Sequence, residues 1–190
     1  MNDLAHDPMT LPANLPVPRD DGAAAHLLGS AVPDVALPST EGRKISLAAI
    51  RGTRVVVYAY PRTGRPGEAP LVEEWDVIPG ARGCTPETCG FRDHHAELKA
   101  AGAEVFGLST QETAYQRELV ERLHLTFPIL SDSNLDLTRA WKLPTFQAAG
   151  QTLLKRLTLV IRDGVVEHLW YPVFPPDRHA EEVLRWLTTS

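Results

Sequence analysis

The chain has 190 residues, of which 43% are hydrophobic and 23% charged, with 16 prolines, 13 glycines and a net charge of −5. These values suit one globular domain with a substantial core and exclude a wholly disordered chain. Two cysteines, Cys84 and Cys89, are too few for a small disulfide scaffold. The negative charge disfavours nucleic acid or an anionic membrane as the main partner.

The first 28 residues carry no export signal. They hold four prolines and four aspartates, where a signal peptide needs a basic start and an apolar run. No apolar stretch of the sequence approaches the roughly 20 residues of a membrane span. We therefore expect an extended N-terminal arm over 1–28, a folded domain over 29–190, and a cytoplasmic protein without a membrane partner.

Regular strand patterning begins after Gly29. Two short strands, at 35–37 and 44–47, flank a turn. The run RVVVYAY at 54–60 is β-branched and aromatic, which predicts a strand buried on both faces. Residues 61–83 hold four prolines and four glycines, which predicts a long loop. Loops above about 12–15 residues in compact domains are usually functional or disordered.

Helices and strands alternate through the rest of the chain. A helix over 86–101 has Thr85 as a plausible N-cap, Pro86 in its first turn and Gly102 beyond its end. Asp163-Gly164 is a strong hairpin signal. The other predicted elements are strands at 104–108, 128–130, 156–161 and 165–171 and helices at 112–125, 135–142 and 177–187. This order predicts an α/β fold with a mixed central sheet and helices on both faces.

The two cysteines stand at the start of the helix over 86–101. Cys84 lies at or just before its N-terminus, where free N–H groups favour the reactive thiolate. Cys89 lies five residues further on, inside the helix. An ideal helix separates their Cα atoms by about 8.6 Å, beyond the disulfide limit of about 7 Å. A disulfide therefore requires the first turn to unwind, so the helix start would act as a redox switch.

A metal site is one alternative for this segment, because His94 and His95 also fall within twelve residues of Cys84. The spacing matches neither the C-x-x-C nor the H-x-x-x-H pairs of metal sites, so we expect no metal ion. A plain buried role stays open for Cys89, since cysteine inside a helix is often core.

Five segments in order resemble the peroxiredoxins, specifically the Q-type or bacterioferritin comigratory protein subfamily. The strongest is Gly83–Asp93, which reads GCTPETCGFRD. The others are YAYP at 58–61, VFGLST at 105–110, FPILSD at 127–132 and RLTLVI at 156–161. The resemblance covers about residues 29–187 and implies a thioredoxin-like fold. In that subfamily the peroxidatic cysteine precedes the resolving cysteine by five residues within one helix.

The resemblance implies a thiol-dependent peroxidase that needs no cofactor. Cys84 would attack the peroxide, and Cys89 would condense with the resulting sulfenic acid to a disulfide. Thioredoxin or a similar dithiol protein would then reduce that disulfide. Arg156 matches the family arginine that stabilises the thiolate, with Lys155 as its rival, and a fixed multi-donor cation suits that role. We expect a monomer or a weak dimer.

The loop before Cys84 departs from the family pattern P-x-x-x-T-x-x-C. Ala81 stands where the threonine is expected, and Val77 where the proline is expected. An insertion over 64–79 accounts for this, with Pro61 keeping its place at the strand end. The threonine hydroxyl then comes from Thr63, which we favour, from Thr85, or from nowhere. The resemblance also implies a peroxide-binding set, namely Pro61, Gly83 and Thr85.

Two other functions fit parts of the sequence. A non-enzymatic redox sensor would use a Cys84–Cys89 disulfide to remodel the 61–83 loop for a partner protein. Oxidation by peroxide at the rate of a free cysteine would favour that reading. A thioredoxin-type disulfide reductase is disfavoured, because that chemistry uses C-x-x-C.

Overall fold

The computed structural model describes residues 7–190. Strands and helices alternate along this part of the chain. In order they are β1 (Ala36–Pro38), β2 (Lys44–Ser46), β3 (Arg54–Ala59), α1 (Cys84–Asp93), α2 (His95–Ala100), β4 (Ala103–Ser109), α3 (Thr113–Leu123), β5 (Ile129–Ser131), α4 (Asp136–Trp141), β6 (Thr145–Ala148), β7 (Gln151–Leu154), β8 (Leu157–Arg162), β9 (Val165–Trp170) and α5 (His179–Thr189).

A five-stranded mixed sheet in the order β5-β4-β3-β8-β9 forms the centre. β3 pairs in parallel with β4 and antiparallel with β8, and β4 pairs in parallel with β5. β8 and β9 form the predicted hairpin, whose turn residues Asp163 and Gly164 have φ of 50° and 81°. The predicted mixed α/β sheet is therefore confirmed. Two separate antiparallel pairs, β1–β2 and β6–β7, flank it.

The sheet separates two apolar cores because side chains along a strand alternate between its faces. Val55, Val57 and Ala59 of β3 face one core, which also contains Leu137 and Trp141 of α4. The neighbouring residues Val56, Tyr58 and Tyr60 face the other core, where the remaining helices pack through Phe91, Leu98, Leu119 and Val183. Helices thus cover both faces, as predicted.

The N-terminal segment lies against the domain instead of extending away from it. Residues 7–28 contain no helix or strand, yet Ala24 and Leu27 are 2% and 0% exposed and belong to the first core. The apolar core therefore begins inside the predicted arm, before Gly29. Residues 1–6 of that arm lie outside the described residues.

The predicted helix over 86–101 is two helices that start earlier. α1 begins at Cys84 with Gly83 as its N-cap, where Thr85 was expected, because the left-handed φ of 105° at Gly83 favours a residue without a Cβ. His94, with φ −98° and ψ 7°, separates α1 from α2. Gly102 follows the second helix in the left-handed region, as predicted.

The β6–β7 hairpin, which was not predicted from the sequence, supports the long loop over 61–83. Its turn at Ala149-Gly150 has positive φ at both positions. Trp75 lies in a short 3-10 turn of the loop and is buried against the hairpin, with its ring 6.4 Å from that of Phe146. The loop is therefore anchored on an apolar cluster with a hairpin beneath it.

Candidate active site

Cys84 is the first residue of α1 and is 3% exposed. The preceding Gly83 is closely packed, since a Cβ there would lie 2.4 Å from Cγ of Pro176 and 3.0 Å from Cδ2 of Leu11. The thiol therefore sits at a helix N-terminus, as expected, but under cover from two distant segments of the chain.

Arg156, immediately before β8, brings its guanidinium to this thiol. Nη2 donates to Cys84 Sγ at 3.2 Å, and Nη1 pairs with the carboxylate of Glu87. Nη2 also lies within hydrogen-bond distance of three loop carbonyls, those of Gly80, Ala81 and Arg82 at 3.2, 3.3 and 3.1 Å, which share its two hydrogens with the thiol. The guanidinium is thereby held in one orientation. Lys155, the other candidate for the cation beside the thiolate, instead pairs with Asp21 at 2.6 Å near the surface.

Glu87 is a site residue that was not predicted from the sequence. It is 0% exposed, and one carboxylate oxygen pairs with Arg156. Within residues 7–190 its other oxygen, Oε1, has no hydrogen-bond partner. The spacing of three residues from Cys84 was the available signal, because residues i and i+3 share a helix face.

Burial and charge act on the Cys84 thiol in opposite directions. Burial raises its pKa and is the largest influence, while the Arg156 guanidinium and the N–H of Arg62 lower it and the Glu87 carboxylate raises it. The thiol also lies 3.5 Å from the Ala81 carbonyl, to which its S–H can donate. The position at a helix N-terminus predicts a bias toward thiolate, whereas in the folded site burial is the largest influence and the pKa of the thiol is raised.

Cys89 lies on α1 and is partly exposed, with apolar contacts to the second core. Burial raises the pKa of its thiol, and Arg92 partly opposes this shift. Both cysteines are free thiols. An intact α1 is consistent with the expected separation, and the disulfide between them stays a prediction.

The residues expected to bind the peroxide and Thr63, the favoured source of the loop hydroxyl, lie in different surroundings. Pro61 is buried at the end of β3, and Gly83 and Thr85 line a small cavity beside Cys84. The Thr63 hydroxyl and N–H both donate to Gln111 Oε1, at 3.2 and 3.1 Å. Gln111 in turn donates to the Thr63 carbonyl at 3.1 Å.

The histidines considered as metal ligands have other contacts. His94 Nδ1 lies 2.8 Å from Glu97, and His95 Nδ1 lies 2.6 Å from the Thr126 hydroxyl. In the described part of the chain, no group of three His, Cys, Asp or Glu side chains is arranged to hold a metal ion. None of the helices between residues 7 and 190 has the length and hydropathy of a membrane span.

Comparisons with known proteins agree with the sequence resemblance. A family model described as Redoxin matches residues 27–184. "Peroxiredoxin Q, chloroplastic" from Oryza sativa subsp. japonica is 34% identical over 160 residues, which are 84% of this chain and 65% of that protein. This chain thus spans slightly less than two thirds of the rice protein. "Peroxiredoxin Bcp" from Escherichia coli strain K12 is 31% identical over 163 residues, 84% of this chain and 94% of that protein.

Two solved structures share the fold. The crystal structure of peroxidoxin BcpB from Mycobacterium tuberculosis has a TM-score of 0.69 and 27% identity, covering 86% of this chain and 97% of that one. A structure of Peroxiredoxin Q from Xanthomonas campestris has a TM-score of 0.67 and 26% identity, covering 86% and 96%. The thioredoxin-like expectation is confirmed by these neighbours.

Proposed function

The chain belongs to the redoxin family and, within it, to the Q-type peroxiredoxins, and on that premise we propose that it reduces peroxides with Cys84 as the peroxidatic and Cys89 as the resolving cysteine. The observation that carries the proposal is the 3.2 Å contact from Arg156 Nη2 to Cys84 Sγ at the N-terminus of α1. A fixed guanidinium and a helix N-terminus both favour negative charge on the sulfur.

In the first step the Cys84 thiolate attacks one oxygen of the peroxide. The O–O bond breaks, the sulfur keeps that oxygen as a sulfenic acid, and the other oxygen leaves as hydroxide, or as alkoxide from an organic hydroperoxide, and takes up a proton. Arg156 stabilises the thiolate and can donate to the oxygen on which charge develops. The loop carbonyls and Glu87 hold the guanidinium in position beforehand, which is the arrangement that makes such stabilisation effective.

In the second step the Cys89 thiolate attacks the sulfenic sulfur of Cys84. The S–S bond forms, the S–O bond breaks, and the oxygen leaves as water after protonation. The two thiols stand five residues apart on α1, so the first turn of the helix must unwind for the bond to form. A thioredoxin-like dithiol protein then returns two electrons and two protons by thiol–disulfide exchange.

The hydroxyl that the family pattern places three residues before the cysteine has two candidates. Thr85 is supported by its position in the cavity beside Cys84. Thr63 is supported less, because its hydroxyl donates to Gln111. We therefore propose Thr85 for this role, and Thr85→Val is expected to lower kcat/KM for hydrogen peroxide more than Thr63→Val does.

Mass spectrometry after one equivalent of hydrogen peroxide tests the assignment of the cysteines. The wild type is expected to lose two hydrogens as the Cys84–Cys89 disulfide forms. Cys89→Ser is expected to retain one added oxygen, as a sulfenic acid that dimedone traps at Cys84. Consumption of peroxide by Cys84→Ser with a thioredoxin system would show the assignment to be wrong.

A redox sensor is the second candidate function, and the burial of the Cys84 thiol favours it, because a raised pKa slows a thiol's reaction with peroxide. The rate constant for Cys84 oxidation separates the two functions. A value near that of free cysteine favours the sensor, and a much larger value favours the peroxidase. In either function the reduced state requires a reducing compartment such as the cytoplasm.

A further inference from the structure

Arg82 connects three segments of the chain immediately before Gly83 and Cys84. Its Nη2 donates to the carbonyls of Asp7 and Thr10, at 2.6 and 3.1 Å. Its Nη1 pairs with the carboxylate of Asp76, in the inserted part of the loop, at 2.8 Å. The arginine is only 6% exposed. Because a buried guanidinium is stable only when its donors are satisfied, Arg82 holds the N-terminal segment and the insertion in place beside the thiol.

Apolar side chains of the N-terminal segment fill the space next to the thiol. Pro8 is buried and lines the cavity that contains Cys84. Leu11 packs over Gly83, where a Cβ would meet its Cδ2 at 3.0 Å. Leu15 and Pro16 continue along the same loop and line a neighbouring cavity with Arg156. The segment therefore follows the loop up to the cysteine.

The cavity beside the thiol is very small. It offers about 20 Å³ to the centre of a water-sized molecule, where a single water needs about 10–15 Å³. Pro8 lines it from the N-terminal segment and Trp75 lines it from the insertion. The other residues that line this cavity with Cys84 are Arg62, Gly64, Arg82, Gly83 and Thr85.

We propose that residues 7–11 and Trp75 form a cover that admits hydrogen peroxide to Cys84 and excludes bulky organic hydroperoxides. This inference rests on the proposed peroxidase function and adds its substrate class. Hydrogen peroxide has two heavy atoms and fits a space of this size, so the Cys84 thiolate can take one of its oxygens while hydroxide leaves. The phenyl ring of cumene hydroperoxide reaches the sulfur only if Pro8 or Trp75 moves.

Movement of the cover is opposed by the contacts already described. Trp75 is 5% exposed and packs against Phe146 of β6. Pro8 is bracketed by Asp7 and Thr10, whose carbonyls Arg82 holds. Displacing either residue breaks hydrogen bonds or exposes apolar surface, and this cost falls on the bulky substrate alone.

The ratio of kcat/KM for hydrogen peroxide to that for cumene hydroperoxide tests the cover in the full-length protein. We expect the wild type to prefer hydrogen peroxide by about 100-fold or more, and Pro8→Gly and Trp75→Ala each to lower that ratio by about tenfold, as steric pockets commonly discriminate on this scale. Pro12→Gly is the matched control, because Pro12 is exposed in the same segment and outside the cover. It should leave the ratio unchanged.

Equal use of both peroxides by the wild type would overturn the cover. So would a parallel change of both kcat/KM values in Pro8→Gly, since a structural disturbance alone lowers both. Pro8→Gly keeps the test decisive where Trp75→Ala unfolds, because Pro8 lies outside the apolar clusters of the domain. Failure of both peroxides to oxidise Cys84 at all would overturn the proposed function together with the cover, and sulfenic acid trapping detects that outcome separately.

Discussion

Two adjacent cations, Lys155 and Arg156, illustrate how one position decides a residue's chemistry. Arg156 contacts the Cys84 thiol and three loop carbonyls, whereas Lys155 lies in a partly exposed pair with Asp21. We expect Arg156→Lys to lower kcat/KM for hydrogen peroxide by about 10²–10³-fold, because an ammonium cannot reproduce the planar set of donors around the thiol. Steady-state kinetics with a saturating reductant measures this loss.

Lys155→Ala is the control for that prediction. An exposed ion pair contributes only about 0–1 kcal/mol, so this variant should change kcat/KM by no more than about threefold. Equal losses in Arg156→Lys and Lys155→Ala would contradict the role proposed for Arg156.

Glu87 sets the charge balance of the same site. Its carboxylate raises the pKa of the Cys84 thiol, because like charges disfavour each other's ionised forms. Glu87→Gln removes that charge, so the pH midpoint of Cys84 alkylation by iodoacetamide should move to lower pH. The variant should also lower the free energy of unfolding by about 3–5 kcal/mol, because it leaves the buried Arg156 without its counter-charge.

The pH midpoint separates an electrostatic role for Glu87 from a merely structural one. Glu121→Gln, on the exposed face of α3, is the matched control and should move neither the midpoint nor the stability. A midpoint that stays in place or rises in Glu87→Gln would show that the carboxylate does not act on the thiol.

At the level of secondary structure, the start of α1 depends on Gly83. Its φ of 105° disfavours any residue with a Cβ, and the added atom would lie 2.4 Å from Pro176 Cγ. Gly83→Ala should therefore lower the free energy of unfolding by about 2–5 kcal/mol, the sum of about 1–2 for the left-handed backbone and about 1–3 for overpacking. Urea denaturation of the reduced protein measures this change.

Gly42→Ala isolates the backbone part of that cost. Gly42 has φ of 82°, and no atom of residues 7–190 lies within 4 Å of an added Cβ, so its substitution should cost only about 1–2 kcal/mol. Equal destabilisation by the two substitutions would mean that Pro176 yields without cost.

Secondary structure was predictable from the sequence where one residue type dominates the local energetics. The β-branched run of β3 and the Asp163-Gly164 turn identify a central strand and a hairpin directly. The β6–β7 hairpin was not predicted, because its turn uses Ala149 with positive φ, a conformation that alanine seldom adopts. The break at His94 was not predicted, because the residues around it in the sequence do not forbid a helix.

The residues of the active site also divide into those that could be predicted from the sequence and those that could not. The motif around Cys84 and the position of Arg156 were readable, since both lie in segments that match the family pattern. The burial of Glu87, the engagement of Thr63 with Gln111 and the contact of Pro8 with the thiol cavity were not readable. Each depends on segments that are distant in sequence and meet only in the folded chain.

Across the whole molecule, the two halves of α1 pack against different parts of the chain. Phe91 is 0% exposed, stacks on Tyr58 of β3 at a centroid distance of 4.3 Å, and meets the ring of His179 at 5.9 Å. The first turn instead contacts the N-terminal segment and Pro176 around Gly83. Because Cys89 lies only two residues from Phe91, whose ring is stacked on the sheet, we expect Cys84 to move toward Cys89 when the disulfide forms, and Phe91 to stay in place.

Amide hydrogen exchange of the oxidised protein tests this division. The Glu87 N–H, which donates to the Gly83 carbonyl at 3.0 Å in the closed helix, should exchange at least about tenfold faster in the disulfide form, since its hydrogen bond depends on the turn that unwinds. Amides of β3 should keep their protection, because the strand is buried between paired neighbours.

Cys89→Ser treated with one equivalent of peroxide should retain protection at Glu87, because without a resolving thiol the first turn has no reason to open. Unchanged protection at Glu87 in the disulfide form would mean that the bond forms without unwinding α1, and loss of protection at both Glu87 and Phe91 would mean that the whole helix is released.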